Sequence, residues 1–191
     1  MREELTLFPF YLLSTERNIM EYIKILNILL ALLQWDNAPI SDLSKPAVIS
    51  HMTEVAKAIS DAPINYQVRL IALGYEESRF GFQHVLKGRT LKVSSSGACG
   101  IFQQLPKYAL GGKTTCAKLQ DPKEAVKQAL AYLKMIEARF KPRHKGKGEL
   151  RMDRAMCHYF SGNRCDRSAR KYSSRHRATR LKALRVWREW K

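Results

Sequence analysis

Asp121-Pro122 opens the most completely signed helix of the chain. Asp121 suits the N-cap, Pro122 the first helical position, and Glu124 completes a capping box. Val126, Ala129, Leu130, Leu133, Ile136 and Phe140 then fall on one stripe, and Pro142 ends the run. A second helix opens at Pro63 and carries Ile64, Val68, Ile71, Ala72 and Tyr75 at helical spacing. It reaches Glu76 and Glu77 and stops in Phe80-Gly81-Phe82. A third runs from Pro46 through Val55, Ala58 and Ile59 to Asp61, and a fourth covers residues 152–159. Residues 83–97 carry turn and strand signals, with Gly88 between Val85-Leu86 and Leu91-Val93 and Ser94-Ser95-Ser96-Gly97 closing the stretch. The pattern predicts a mainly α fold with a small β-hairpin or irregular lobe.

At 191 residues and 45% apolar, the chain can bury a core as one domain with decoration, and global disorder is excluded. Its 34 basic against 17 acidic residues leave a net charge of +17, which calls for an anionic partner. Nucleic acid, an acidic membrane surface and the bacterial cell wall all qualify. Residues 1–41 read as an apolar, locally acidic helical region with Pro9 and Pro39 as breakers. Its apolar run from Ile23 to Trp35 is interrupted by Lys24, Asn27 and Gln34, and is shorter than the roughly 20 residues a membrane span needs. It also makes a poor signal peptide, because acidic residues precede it and Pro39 follows the one small cleavage residue, Ala38. A buried or amphipathic helix is expected there, with docking on a membrane as the other reading.

Residues 164–191 hold eleven Lys and Arg, with Asp166 and Glu189 as the acids. Leu181, Leu184, Trp187 and Trp190 recur every three residues, so residues 171–191 are expected to form a basic amphipathic helix with tryptophans on its apolar side. Such a helix either packs as a terminal element or attaches to an anionic surface or nucleic acid. Cys99, Cys116, Cys157 and Cys165 show no C-x-x-C spacing, and His158 beside Cys157 is not a zinc signature. Two disulfides in any of three pairings fit this set, and so do four reduced thiols. No metal, cofactor or obligate protein partner is expected.

The two adjacent glutamates differ in their helical neighbours. Glu77 lies over Gly74, Leu73 and Leu70, whereas Glu76 lies over Leu73, Ala72 and Arg69 and so has a cation beside it and better solvation. A carboxyl held against an apolar flank keeps its proton near neutral pH and can donate it to a leaving oxygen. An exposed pair of helix-end charges is the plain alternative.

Three segments then resemble, in order, the motifs of the lytic transglycosylase family with a goose-type-lysozyme-like fold. They are Glu77-Ser78-Arg79-Phe80, then Ser94 with Gly97-Ala98-Cys99-Gly100-Ile101-Phe102-Gln103 followed by Leu105-Pro106 and Ala109, then Tyr159-Phe160-Ser161-Gly162-Asn163 after the long helix. Together they span residues 46–165, and the resemblance implies a lysozyme-like catalytic domain over residues 42–170. It implies cleavage of the β-1,4 bond between N-acetylmuramic acid and N-acetylglucosamine in peptidoglycan glycan strands. Glu77 becomes the acid and then the base, Ser94 contacts substrate near an acetamido group, Gln103 hydrogen-bonds the glycan, and Tyr159 positions the glutamate. Gly97 and Gly100 let backbone approach the sugar. Phe160, where many relatives carry Asn, and Cys99 depart from the pattern.

Ordinary retaining and inverting glycosidases use two carboxylates, yet no Asp or Glu lies between Glu77 and Asp121. Lys87, Arg89, Lys92, Lys107, Lys113 and Lys118 fall there instead. A second carboxylate would have to come from Asp121, Asp153 or Asp166. This favours a one-carboxylate, substrate-assisted route that leaves 1,6-anhydro ends, with a hydrolytic muramidase as the alternative. A basic nucleic-acid-binding protein ranks behind both. The setting so implied is the bacterial cell wall or periplasm. The poor signal peptide and the basicity tilt the expectation toward a phage-associated enzyme, carried in the virion or released from infected cytoplasm.

Overall fold

The computed structural model describes residues 8–91, 93–109, 114–162 and 164–189, with side chains from residue 19 onward. The described helices are α1 (Phe8–Trp35), α2 (Ile40–Leu43), α3 (Pro46–Ser60), α4 (Ile64–Ser78), α5 (Phe82–Leu86), α6 (Cys116–Leu119), α7 (Pro122–Arg139), α8 (Gly148–Ala155), α9 (Cys157–Ser161) and α10 (Arg167–Glu189). The mainly α expectation holds. α3, α4 and α7 begin where their prolines place them. Pro46 and Pro122 each sit in a first turn, where a missing N–H costs nothing. Asp121 accepts the Lys123 amide at 2.8 Å, as an N-cap should.

α4 is the central element. Leu70 to Tyr75 are six consecutive buried residues, so this half of the helix is enclosed on every side rather than along one stripe. α10, α7, α3 and α1 supply the walls. Ile64, assigned to the apolar stripe from sequence, is 66% exposed, because the first turn projects beyond them. In α1, Ile25, Ile28, Leu29, Leu32 and Leu33 are buried against α3 and α10, so the apolar run belongs to the same core as the rest. Pro9 lies in the first turn of α1 and Pro39 caps α2. No helix among the described residues is long and apolar enough to cross a membrane.

The lobe after α4 is irregular. Residues 82–86 form α5 rather than the first arm of a hairpin, because Phe82, Val85 and Leu86 recur at helical spacing and Phe82 is buried. The β structure among the described residues is confined to single-residue bridges in which Cys99 pairs with both Val93 and Gln104. Disulfides join Cys99 to Cys116 and Cys157 to Cys165, which selects one of the three pairings left open by the sequence.

α10 begins at Arg167, so the boundary expected at residue 170 falls inside it. Its buried face is Ala169, Ser173, His176, Thr179, Arg180, Ala183 and Val186. Leu181 of the expected apolar series is 51% exposed, Leu184 and Trp187 are half-buried, and Trp190 lies outside the described residues. Small and polar residues face inward because α10 packs directly along α4 and meets its polar side chains. Asp153 of α8, 4% exposed, receives Arg69 of α4 at 3.1 Å and Arg180 of α10 at 2.8 Å. Arg69 also pairs with Glu149, and Arg177 lies 3.7 Å from Asp153.

Removing this buried anion leaves Arg69 and Arg180 with only the largely exposed Glu149 as counter-charge, and breaking a buried pair in this way costs about 3–5 kcal/mol. Asp153→Ala is therefore expected to lower the urea unfolding midpoint sharply. A midpoint within error of the wild type would show that Glu149 and water, rather than Asp153, satisfy Arg69 and Arg180.

Candidate active site

The end of α4 turns sharply. Arg79 and Phe80 both adopt left-handed backbone conformations, with φ of 52° and 56°, which cost energy in residues with a Cβ. Three contacts hold Arg79 there. Its guanidinium lies 4.1 Å from the Tyr75 ring centroid, donates to the Tyr75 carbonyl at 2.7 Å, and pairs with Asp36. Phe80 is fully buried in a slot that exists because residue 74 is glycine: a Cβ there would lie 2.9 Å from Phe80 Cδ1 and 3.3 Å from Phe102 Cε1.

The three sequence motifs meet at this turn. Ser78 Oγ donates to the Ile101 carbonyl at 2.7 Å and accepts from the Gly81 amide at 3.1 Å, fastening the end of α4 to the glycine-containing segment. Tyr159 Oη donates to the next carbonyl, that of Phe102, at 3.2 Å. The Tyr159 ring meets Tyr132 of α7 edge-on at 5.1 Å.

Glu77 lies among these residues, half-buried, and accepts no hydrogen bond from any described residue. Burial pushes its pKa up from 4.5 to about 8, and the neighbouring Glu76 charge adds to the rise. The Tyr159 phenol is raised well above its usual value by burial, then by the Glu77 charge and then by Tyr132, which marks it as an electrostatic neighbour of Glu77.

Glu76 has a cation beside it, as its helical neighbours predict, but the cation is a different one and the side chain is buried rather than well solvated. Its side chain is 5% exposed, pairs with Arg175 Nε at 3.2 Å and accepts from Thr179 Oγ1 at 2.5 Å. Both partners come from α10, while Arg69, the expected cation, is taken by Asp153 and Glu149. The other candidate carboxylates are also occupied. Asp121 caps α7, Asp153 anchors the buried arginines, and Asp166 caps α10 through the Ala169 amide at 2.8 Å.

The remaining candidates shape the lobe. Ser94 Oγ accepts from the Ala98 amide at 2.9 Å and lies 2.8 Å from Ser96 Oγ, closing the turn that contains Gly97. Gly97, at φ 82°, faces open space. Gly100 is packed within the protein: a Cβ there would lie 2.2 Å from the Leu119 carbonyl of α6. Gln103 has φ 45° and donates from Nε2 to the Gly100 carbonyl at 3.0 Å. Cys99, one departure from the family pattern, ties this lobe to α6 through Cys116. Phe160, the other, stacks with Tyr172 of α10 at 5.4 Å. Asn163, Lys92 and Lys113 lie outside the described residues.

Sequence reasoning assigned no role to Ser78, Gly74 or Tyr132. A glycine inside an apolar helix was a signal for Gly74, and Ser78 stood within the quoted motif, but nothing in the sequence singled out Tyr132. Searches of protein-family models, curated proteins and solved structures give no match to this chain.

A half-buried carboxyl with a raised pKa and an adjacent phenol can carry a proton at neutral pH and release it to a buried leaving group. The same arrangement makes Glu77 a liability to stability. Between pH 4.5 and about 8 the folded chain holds a proton that the unfolded chain has lost, so stability falls as pH rises through that window and levels off above it. Glu77→Gln removes the effect, so its Tm advantage over the wild type should grow from pH 5 to pH ~8.5 and then stay constant. A difference that stays flat across the range would show that the carboxyl ionises freely in the folded chain.

Proposed function

We propose that this chain is a lytic transglycosylase that cleaves the bond between N-acetylmuramic acid and N-acetylglucosamine in peptidoglycan, with Glu77 as its single acid and base. The observation that carries this reading is the isolation of Glu77. With a pKa of about 8 it keeps its proton near neutral pH, and it has no hydrogen-bond or ion-pair partner among the described residues, while Glu76, Asp121, Asp153 and Asp166 are each engaged elsewhere. A two-carboxylate glycosidase needs a second free carboxylate about 5–9.5 Å away. The convergence of the three motif segments, through Ser78 on Ile101 and Tyr159 on Phe102, supports the resemblance on which the substrate rests.

In this mechanism Glu77 protonates the glycosidic oxygen as the bond to the muramoyl anomeric carbon breaks. The muramoyl N-acetyl oxygen, supplied by the substrate, stabilises the cationic centre. Glu77, now a carboxylate, accepts the proton of the muramoyl 6-hydroxyl as that oxygen attacks the same carbon, closing the 1,6-anhydro ring. Tyr159, fastened to the Phe102 carbonyl, is the electrostatic neighbour of the carboxyl, and the lobe of Ser94, Gly97 and Gln103 receives the glycan. The exposed basic face of α10, which includes Arg167, Arg170, Lys171, Arg185 and Arg188, offers attraction to the carboxylates of the peptide stems, weakened by salt. Work at the bacterial cell wall, in the service of a phage, is the setting that fits this reading.

Mass spectrometry of fragments released from purified peptidoglycan tests the proposal. Fragments ending in 1,6-anhydromuramic acid are expected with the native chain and absent with Glu77→Gln. Reducing ends one water heavier would make the enzyme a muramidase, and no fragments at all would overturn both readings. Because the acid must be protonated, kcat/KM should fall as pH rises through about 8. A fall centred near 4.5 would mean that the proton donor is a carboxyl of ordinary affinity, against the raised value of Glu77.

A further inference from the structure

A second cluster of reactive side chains lies around the other end of the segment that carries Tyr159. His144 follows α7 and its short 3-10 turn, and its Nε2 lies 3.0 Å from Nε2 of His158. His158 Nδ1 contacts the Gly162 carbonyl at 2.8 Å. A carbonyl only accepts, so Nδ1 carries the proton and Nε2 presents its lone pair. Phe140 stacks on this ring at 3.9 Å, with 10° between the planes, and fixes its orientation. A ring nitrogen of each histidine and Cys157 Sγ lie within 4.8 Å of one another. This is the arrangement of a metal-binding imidazole: one nitrogen held by a backbone carbonyl, the other turned toward further soft and nitrogen donors. Tetrahedral zinc, with bonds of about 2.0–2.1 Å to nitrogen, sets two nitrogens about 3.3 Å apart, close to the spacing here.

Cys157 is bonded to Cys165 in the structure, and the disulfide competes for the sulfur that a metal would use. We propose that reduction of the Cys157–Cys165 disulfide converts this cluster into a zinc site ligated by His144, His158 and the two freed thiolates. A dithiol reductant supplies two electrons and two protons, the S–S bond breaks, two thiols form, and the reductant leaves as its own disulfide. Zinc then displaces both thiol protons to solvent and forms two bonds to sulfur and two to nitrogen.

Cys165 stands outside the group of three but is bonded to Cys157, so it is the source of a second thiolate, and the charge of the surroundings favours two. Arg143, Lys145, Arg154 and Arg170 line an adjoining cavity of about 600 Å³, which also borders His144, Cys157 and Cys165 and offers an approach to the site. These cations repel a bare divalent ion, whereas two thiolates bring the filled site to neutrality. Disulfide and zinc are thus alternative clasps between α9 and the start of α10. The first belongs to an oxidising compartment and the second to a reducing one.

The test is metal analysis of the full chain before and after reduction with a phosphine, which does not compete as a zinc ligand. About one zinc per reduced chain is expected, and none in the oxidised chain. Loss of an outer partner of a zinc ligand costs about 10–100-fold in affinity, so His144→Ala and His158→Ala should each weaken binding at least tenfold. The Cys99→Ser/Cys116→Ser double variant should retain it. Should a histidine variant fail to fold, titration of the reduced wild-type chain with cobalt(II) decides. One tetrahedral cobalt with two sulfur-to-metal charge-transfer ligands supports the site. No zinc uptake on reduction, unchanged affinity in the histidine variants, or a cobalt spectrum without thiolate bands overturns it.

Discussion

Asp153 is a buried carboxylate between two buried guanidiniums, Arg69 on α4 and Arg180 on α10. An isolated charge at that depth would be far too costly to keep, so the group folds only when all its members arrive together. Their meeting fixes the register of α10 along α4. In that register Arg175 and Thr179 reach Glu76 and hold it in an ion pair and a hydrogen bond. Glu77, one residue on and about 100° further round the helix, receives no such partner among the described residues. Two chemically identical neighbours thereby acquire opposite roles: one is locked into the fold and the other is left with a raised affinity for its proton.

The lobe facing Glu77 is held by contacts that end on backbone. Ser78 and Tyr159 donate to consecutive carbonyls, those of Ile101 and Phe102, so the glycine-containing segment is fastened from α4 and from α9 at adjacent points. Gly74 allows Phe80 and Phe102 to fill the space behind that junction, and the Cys99–Cys116 disulfide restrains its other side. Arg79, Phe80 and Gln103 are non-glycine residues with positive φ in the same small region. Such conformations persist only where packing over-determines them, and they gather where geometry matters more than local comfort.

The helices that carry punctuation were legible in the sequence. Pro46, Pro63 and Asp121-Pro122 marked starts, and Pro142 marked an end, because capping and proline stereochemistry act within one turn. The short segment 82–86 was not, since five residues with three apolar side chains fit a strand and a helix about equally well. α10 was misread for a different reason. Its leucines and tryptophans suggested the buried face, but the inner face is set by what α4 presents, and close approach there selects Ala, Ser, His and Thr.

For the candidate site, the sequence by itself determined which carboxyl stands at the end of an apolar helix, which motifs accompany it, and that the intervening segment brings no second acid. These follow from periodicity and residue order. Only the tertiary structure decided that Glu76 rather than Glu77 is paired among the described residues, that Asp121, Asp153 and Asp166 are spent on caps and a buried ion group, and which cysteines join. A proton affinity or a disulfide depends on groups distant in sequence and close in space, and local patterns carry no record of that proximity.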